Sequence, residues 1–286
     1  MDWKQKLEEY IAEKKGNFSL LSVSTNKVSR FSFEGKDYIL KEQHVKDDAL
    51  SPFWAMMKEF FHSDFSAQRR CMGETLRLLS ENPQIPVPRL VLSEEAGRYQ
   101  VFEAGQGLSW EPDEFPDSAE TAFQLGRYVG SLHRAAYPSC GLPGGEKVPD
   151  IKERMRTFII RRAEEDWKDA LSGRVCRFAE KLLAAPVPVS RYVLMMADIS
   201  GNQFLFDGER ISACVDFDAY VIGPGEWELS ILKDCVRDWG SFQRGYEEYL
   251  PLPELDAAER FYLFLMKLGE PWDLTGMEAL LDRWEA

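Results

Sequence analysis

The stretch from Met196 to Asp218 constrains this chain more than any other. Residues 192–196 and 203–206 are apolar runs that read as strands, and a further strand, 210–215, follows Asp207-Gly208. Asp-Gly between alternating apolar residues is a two-residue hairpin signal, because the turn needs positive φ. That pattern puts Asp198 and Asn202 in a loop between strands and Asp216 at the end of the next strand, so three hard oxygen donors converge. A sparse oxygen set suits magnesium, which keeps several waters and takes one or two protein carboxylates beside substrate phosphates. Singly, each of these residues is an ordinary turn former. The order of what lies upstream carries the rest.

Trp3, Leu7, Tyr10 and Ile11 recur at helical spacing and predict an amphipathic helix over 2–14. Three antiparallel strands follow, 18–23, 28–33 and 37–41, the last two joined by the turn Glu34-Gly35-Lys36. Between the first two, Ser24-Thr25-Asn26-Lys27 is a polar turn whose amides and hydroxyls, Ser24 and Thr25 foremost, suit phosphate, though it has no glycine. Lys41 ends the third strand on the face of Ile39, where an ammonium reaches a nucleotide's phosphates and needs a carboxylate to hold it. Glu74, on a helix expected over 65–80, is the candidate partner. Alone, Lys41 reads equally well as a lysine guarding a sheet edge, and Glu74 as helix surface.

Strands at 90–92 and 99–103 come next, with a turn at 94–97 between them. Periodicity then stops at Glu103-Ala104-Gly105-Gln106-Gly107, the best boundary in the chain, which divides it into 1–103 and 104–286. Beyond it the pattern is mostly helical. Phe123, Leu125, Tyr128, Val129 and Leu132 form one stripe, further helices are expected at 150–170 and 176–184, and helices return from Trp227 to the end. The hairpin is the one β element expected in this half, and the acidic run Glu111, Asp113, Glu114, Asp117 and Glu120 reads as a surface loop and helix start.

A chain of 286 residues, 44% of them hydrophobic, can bury a sizeable core. Its net charge of -13 opposes a nucleic-acid surface, which needs Lys and Arg clusters, and fits a cationic small molecule better than an anionic one. The longest apolar run near the C-terminus, 261–266, is far short of the roughly 20 residues a membrane helix needs, and the charged start lacks a signal core. No membrane span and a cytoplasmic location are expected. The five cysteines, Cys71, Cys140, Cys176, Cys214 and Cys235, show no paired spacing and read as buried reduced thiols.

Taken in order, Lys41, Glu74, Phe102-Glu103, Leu125-Gly126, Ser131-Leu132-His133, Asp198, Asn202, Asp216-Phe217-Asp218 and Gly223-Pro224 resemble the aminoglycoside phosphotransferase and choline kinase group. The resemblance runs from about residue 20 to 249. It implies an α+β, bilobal, protein-kinase-like fold, with a small N-terminal antiparallel lobe bearing helices and a larger, mainly helical C-terminal lobe. It further implies that Lys41 binds nucleotide phosphates and pairs with Glu74, that Asp198 orients the acceptor hydroxyl and takes its proton, and that Asn202 and Asp216 hold Mg2+. Backbone groups of Phe102, Glu103 and Ala104 would meet the adenine of ATP, or the base of GTP.

The chain departs from the group in three places. Met196-Ala197 stands where the group has His-Gly. Asn202 lies four positions after Asp198, where five is usual. A long segment, 43–65, carrying Phe53, Trp54, Phe60 and Phe61, separates the strand lysine from its helix and reads as extra packing sooner than as a lid.

Candidate acceptor residues are Asp218, Trp227 and Glu228, with Asp234, Asp238 and Trp239, since carboxylates beside tryptophans can hold an amine. The same residues read as core and solvated helix faces. Three other readings remain: a nucleotide-binding pseudokinase or regulatory module, a kinase for a surface-lipid sugar or a protein, and, more distantly, a hydrolase using Asp216 and Asp218. Oligomeric state is open.

Overall fold

Leu7 and Ile11, the buried stripe of helix α1 (Trp3–Lys14), lie against the outer face of a five-stranded antiparallel sheet. In the computed structural model, residues 2–46, 50–82, 84–94, 98–168 and 170–285 are described. The sheet is built from β1 (Ser19–Val23), β2 (Asn26–Phe33), β3 (Lys36–Gln43), β4 (Leu90–Ser93) and β5 (Tyr99–Glu103) in the order β1-β2-β3-β5-β4. Between β3 and β4 come helices α2 (Pro52–Phe61) and α3 (Phe65–Ser80). Lys41 sits opposite Val28 on β2 and Gln100 on β5, and Ile39 opposite Phe102, so these five share one face. Phe31, Tyr38, Leu40 and Val101 fill the other face, under α1. Residues 47–49 of the long segment and 95–97 of the expected turn lie outside the described residues.

The remainder is mainly helical. It runs β6 (Leu108–Ser109), α4 (Ala119–His133), β7 (Cys140–Gly141), β8 (Lys147–Val148), α5 (Ile151–Asp166), α6 (Arg174–Leu183), β9 (Tyr192–Met196), β10 (Phe204–Asp207), β11 (Arg210–Cys214), β12 (Tyr220–Pro224), α7 (Gly225–Cys235), α8 (Trp239–Glu247), α9 (Asp256–Leu268) and α10 (Leu274–Glu285). Here the sequence reading needs correcting, because the hairpin is not the one β element. It belongs to a three-stranded sheet, β11-β10-β6, while β9 pairs antiparallel with β12 in a four-stranded sheet, β8-β7-β12-β9. Strands of two residues carry no periodicity to detect, and β12 ends in Gly223-Pro224, which reads as a break.

This topology positions the site. The chain leaves one sheet at Met196, enters the other at Phe204, and crosses back between Cys214 and Tyr220. The two crossings run side by side, tied by the Ala197 amide donating to the Ala219 carbonyl at 3.1 Å. Asp198 lies on the first crossing, and Asp216 and Asp218 on the second.

The long segment does pack as core. Ser51 caps α2 ahead of Pro52, and Trp54, Met56, Met57, Phe60 and Phe61 are buried, with Phe60 edge-on to Phe158 of α5 and to Trp227 of α7. All five cysteines are free, Cys140 and Cys214 buried and the others half-buried. Among the described residues no helix is long and apolar enough to cross a membrane.

Helices α4 and α8 approach so closely that a Cβ on Gly126 would stand 2.0 Å from the Phe242 carbonyl oxygen. Gly126→Ala must therefore push two helix backbones apart, and a loss of about 1–3 kcal/mol in urea unfolding is expected. An unchanged midpoint would show that the contact yields freely.

Candidate active site

Lys41 is the centre of the site. Its Nζ lies 3.1 Å from Asp216 Oδ1 and 4.0 Å from Asp218 Oδ2, with the side chain 12% exposed. The ammonium also lies 6.0 Å from the Phe102 ring centroid and 5.8 Å from that of Phe217. Burial by itself would favour the neutral amine. The two carboxylates outweigh it and hold the group above its ordinary range. Asp218 accepts from Asn26 Nδ2 at 2.7 Å, and Arg69 of α3 donates to Asn26 Oδ1 at 3.3 Å and to Gln43 Oε1 at 2.6 Å. Burial raises the Asp218 carboxyl, the Asp216 charge adds to it, and Lys41 and Arg69 oppose it. Asp216 itself is 49% exposed, an open carboxylate at the mouth of the cluster.

Asp198 has one buried oxygen, Oδ1, without a hydrogen-bond partner among the described residues. Burial, reinforced by the charge of Asp216, pushes its carboxyl up to about 7. Its loop is braced from within by Gln203, whose Nε2 donates to the Asp198 carbonyl at 2.9 Å and whose Oε1 accepts from the Ser200 amide at 3.2 Å. Both ends of that amide are thereby committed. Asn202 instead turns outward and donates to Asp113 Oδ1 at 2.7 Å, while the Gly201 amide donates to the Asp113 carbonyl at 2.6 Å. A Cβ on Gly201 would meet the Glu114 carbonyl oxygen at 2.6 Å, so only glycine lets this strap lie so close. The acidic run after the hinge thus packs directly on the loop that carries Asp198.

The loop is also held from behind. Trp227 Nε1 donates to the Ala197 carbonyl at 3.1 Å, and Glu228 Oε1 accepts from the Met196 amide at 2.7 Å. The other oxygen of Glu228 bonds His133 Nε2 at 2.8 Å, and His133 Nδ1 meets the Tyr246 hydroxyl at 3.1 Å. Trp227 and Glu228 are both 0% exposed, so the reading of them as acceptor-lining residues is corrected. They are the support under the loop. Asp218 belongs to the lysine cluster, Asp234 pairs with Arg283, Asp238 caps α8, and Trp239 stacks on Phe242.

The expected Lys41–Glu74 ion pair is not formed. The buried stripe of α3 is Phe65, Gln68, Met72, Thr75 and Leu79, which leaves Glu74 off that face, bonded to Arg77 at 2.7 Å and 2.8 Å. The helix presents Arg69 to the cluster in its place. At the turn, Ser24 is exposed, and Thr25 Oγ1 accepts from Trp54 Nε1 at 3.3 Å. At the hinge, Phe102 packs on Phe217, Glu103 pairs with Arg89, and the Ala104 amide is taken by the Asp37 carbonyl at 3.0 Å. The Ala104 amide is thus not free to meet a base.

The sequence reading missed Arg69 and Gln203, and it took Asn26 only as part of the polar turn and Asp113 only as surface. Of these, Gln203 had a signal, because it stands five positions after Asp198. Arg69 had none, since its role depends on which face of α3 is buried.

The family model described as the phosphotransferase enzyme family matches residues 22–261. No curated protein matches the chain. Among solved structures, macrolide 2'-phosphotransferase MphH from Brachybacterium faecium is 17% identical, with a TM-score of 0.66 over 98% of this chain and 95% of its own. Aminoglycoside phosphotransferase APH(2'')-Ib, bound to ADP, is 15% identical with a TM-score of 0.60 over 99% and 96%. Choline kinase LicA from Streptococcus pneumoniae is 13% identical with a TM-score of 0.57 over 96% and 92%. At these identities the likeness is one of fold, the α+β bilobal protein-kinase-like fold. With a match that spans the whole site from Ser24 to Glu228, the chain belongs to the phosphotransferase enzyme family.

Proposed function

We propose that the chain moves the γ-phosphate of ATP to a hydroxyl of a small, cationic molecule, with Mg2+, in the cytoplasm. As a member of its family it is a phosphotransferase with an alcohol group as acceptor; the donor, the metal and the kind of acceptor are our reading. The observation that carries it is the meeting of Lys41, Asp216 and Asp218 on one side with the unpartnered Asp198 Oδ1 on the other. An adenine nucleotide is favoured over GTP by the neighbour solved with ADP and by another solved with AMP-PNP and hygromycin B. A cationic acceptor is favoured by the net charge of -13. The lobes are taken to meet at residues 103–104.

In this reading Lys41 releases its carboxylates to neutralise phosphate charge, and Asp198 accepts the proton as the acceptor oxygen bonds to phosphorus and the bond to the bridging oxygen breaks, freeing ADP. The donor set fits magnesium: Asp216 is an open carboxylate and Asp218 lies beside it, so these two would hold the ion, joined by Asn202 if it lets go of Asp113. A bound ion would offset the charge that develops on the phosphates.

Thermal unfolding with and without ATP plus Mg2+, on the wild type and on Asp216→Asn, tests the nucleotide site. A nucleotide at about 100 times its Kd raises stability by about 2.7 kcal/mol, or roughly 4–5 °C here. The shift should require Mg2+ and vanish in the variant. Full retention in Asp216→Asn would remove Asp216 from the metal site. The committed Gln203 and outward Asn202 favour one second reading, a module that binds ATP without turnover. A magnesium-dependent shift without ADP release across an acceptor panel would select it.

A further inference from the structure

Helix α3 brings a second cation to the lysine cluster. Arg69, half-buried, donates through Nη2 to Asn26 Oδ1 at 3.3 Å and through Nη1 to Gln43 Oε1 at 2.6 Å. Asn26, 9% exposed, donates in turn to Asp218 Oδ2 at 2.7 Å, and the same oxygen lies 4.0 Å from Lys41 Nζ. One amide side chain thus separates the guanidinium from the carboxylate that Lys41 also faces. Burial raises the Asp218 carboxyl, and the Arg69 charge works against that rise. Lys41 and Arg69 therefore stand opposite Asp216 and Asp218, two charges of each sign.

The turn that leads into Asn26 is tied down. The Ser24 amide is taken by the Asn26 carbonyl at 3.0 Å, and the Thr25 carbonyl accepts from the amides of His44 and Val45, both at 3.1 Å. Thr25 Oγ1 accepts from Trp54 Nε1 at 3.3 Å. Held at these points, and without a glycine from Asn17 to Glu34, the turn is not a loop that re-forms around phosphates. The charge of a nucleotide falls to side chains.

We propose that Arg69 is a second phosphate-binding cation of the nucleotide site, meeting the polyphosphate together with Lys41; this rests on the phosphotransferase reading above. Asn26 and Gln43 hold the guanidinium through neutral amide oxygens, and a phosphate oxygen is the stronger acceptor for such a group, whose planar fork suits two N–H bonds at once. Charge balance points the same way. With Asp216 and Asp218 turned to Mg2+, Lys41 and Arg69 both lose their counter-charge, and the phosphates restore it to the two together. Glu74, on the same helix, pairs with Arg77 outside this cluster.

The test is nucleotide binding to the full chain, by isothermal titration calorimetry in Mg2+ with ATP, ADP and AMP. Arg69→Gln should weaken ATP about 10–100-fold, the range for a hydrogen bond to a charged group, ADP less, and AMP by under about threefold. Arg69→Lys, which keeps the charge without the fork, should fall between wild type and the glutamine variant for ATP. Glu74→Gln should bind all three as wild type does. Should Arg69→Gln fold poorly, the lysine variant stands in for it and should show the same order, ATP weakened most and AMP least. A loss no larger for ATP than for AMP would make Arg69 a brace for the turn and overturn the proposal, as would a loss of ATP binding in Glu74→Gln with Arg69→Gln intact. Wild type that bound no ATP in Mg2+ would overturn the nucleotide reading and this proposal together, whereas wild-type binding kept in Arg69→Gln would overturn this proposal alone.

Discussion

Asp198→Asn lowers kcat by about 10²–10⁴-fold, the usual contribution of a positioned general base, while the magnesium-dependent nucleotide shift is retained. The substitution is close to isosteric. It keeps the Asp198 carbonyl that accepts from Gln203 Nε2 at 2.9 Å, so the loop keeps its brace and only the proton acceptor is lost. The pH profile supplies an independent check. Burial first, and the neighbouring Asp216 charge second, push the Asp198 carboxyl up to about 7, so the base form gains population as pH rises through that value and wild-type kcat should climb there. In the variant that limb should be absent. Stability moves the other way. The folded state holds the proton more tightly than the unfolded chain, whose carboxyl titrates near 3.8. The stabilisation is thus complete below that value and is lost as pH rises toward 7. In EDTA, wild type should lose stability over this window and Asp198→Asn should lose less. A variant within tenfold of wild-type kcat would remove Asp198 from proton transfer.

What the sequence disclosed follows from how local each signal is. The strand bearing Lys41 and the hairpin after Asp207-Gly208 were legible because period-two patterning and a turn dipeptide are written within a few residues. Helix α3 emerged with its expected bounds, Phe65–Ser80, yet Glu74 was assigned the wrong partner. The sequence placed residues 65–80 on a helix without fixing which face would be buried, and the tertiary structure buried the one led by Met72, Thr75 and Leu79. A rotation of about 100° per residue separates neighbours on a helix, so an error of one position replaces Glu74 with a different side chain. Asn202 and Trp227 misled for a related reason. Each sits in a loop or turn of helix whose orientation is fixed by a distant segment, the strap at Asp113 or the strand β9, and no local pattern reports such contacts. Spacing did carry one correct warning: the asparagine one position early proved to point away from the lysine cluster, and Gln203 fills the interior position behind it.

Glu228→Ala should destabilise the protein by about 3–5 kcal/mol, the range for removing one partner from a buried polar pair. The glutamate joins three elements at once. Its Oε1 accepts from the Met196 amide of β9 at 2.7 Å, and its Oε2 bonds His133 at the end of α4 at 2.8 Å, with the Tyr246 hydroxyl of α8 on the far side of that ring. With Glu228 ionised and His133 neutral, one proton order satisfies the chain: tyrosine hydroxyl to Nδ1, Nε2–H to Oε2, amide to Oε1. Alanine strands the amide and the imidazole N–H together and leaves a void among side chains that are almost wholly buried, His133 and Glu228 being 1% and 0% exposed. Glu228→Gln keeps an oxygen for the Met196 amide and an NH2 that His133 can accept only in its other tautomer, so its loss should be smaller. Urea unfolding at constant m measures both. The activity pattern then separates support from chemistry. Met196 precedes Asp198 by two residues, so a loosened β9 should lower kcat in proportion to the lost stability, with glutamine intermediate and the pH midpoint near 7 unmoved. If alanine cost less than 1 kcal/mol, the network would not be what holds the loop. If glutamine shifted the midpoint, Glu228 would be acting on the charge of Asp198 and not on its position.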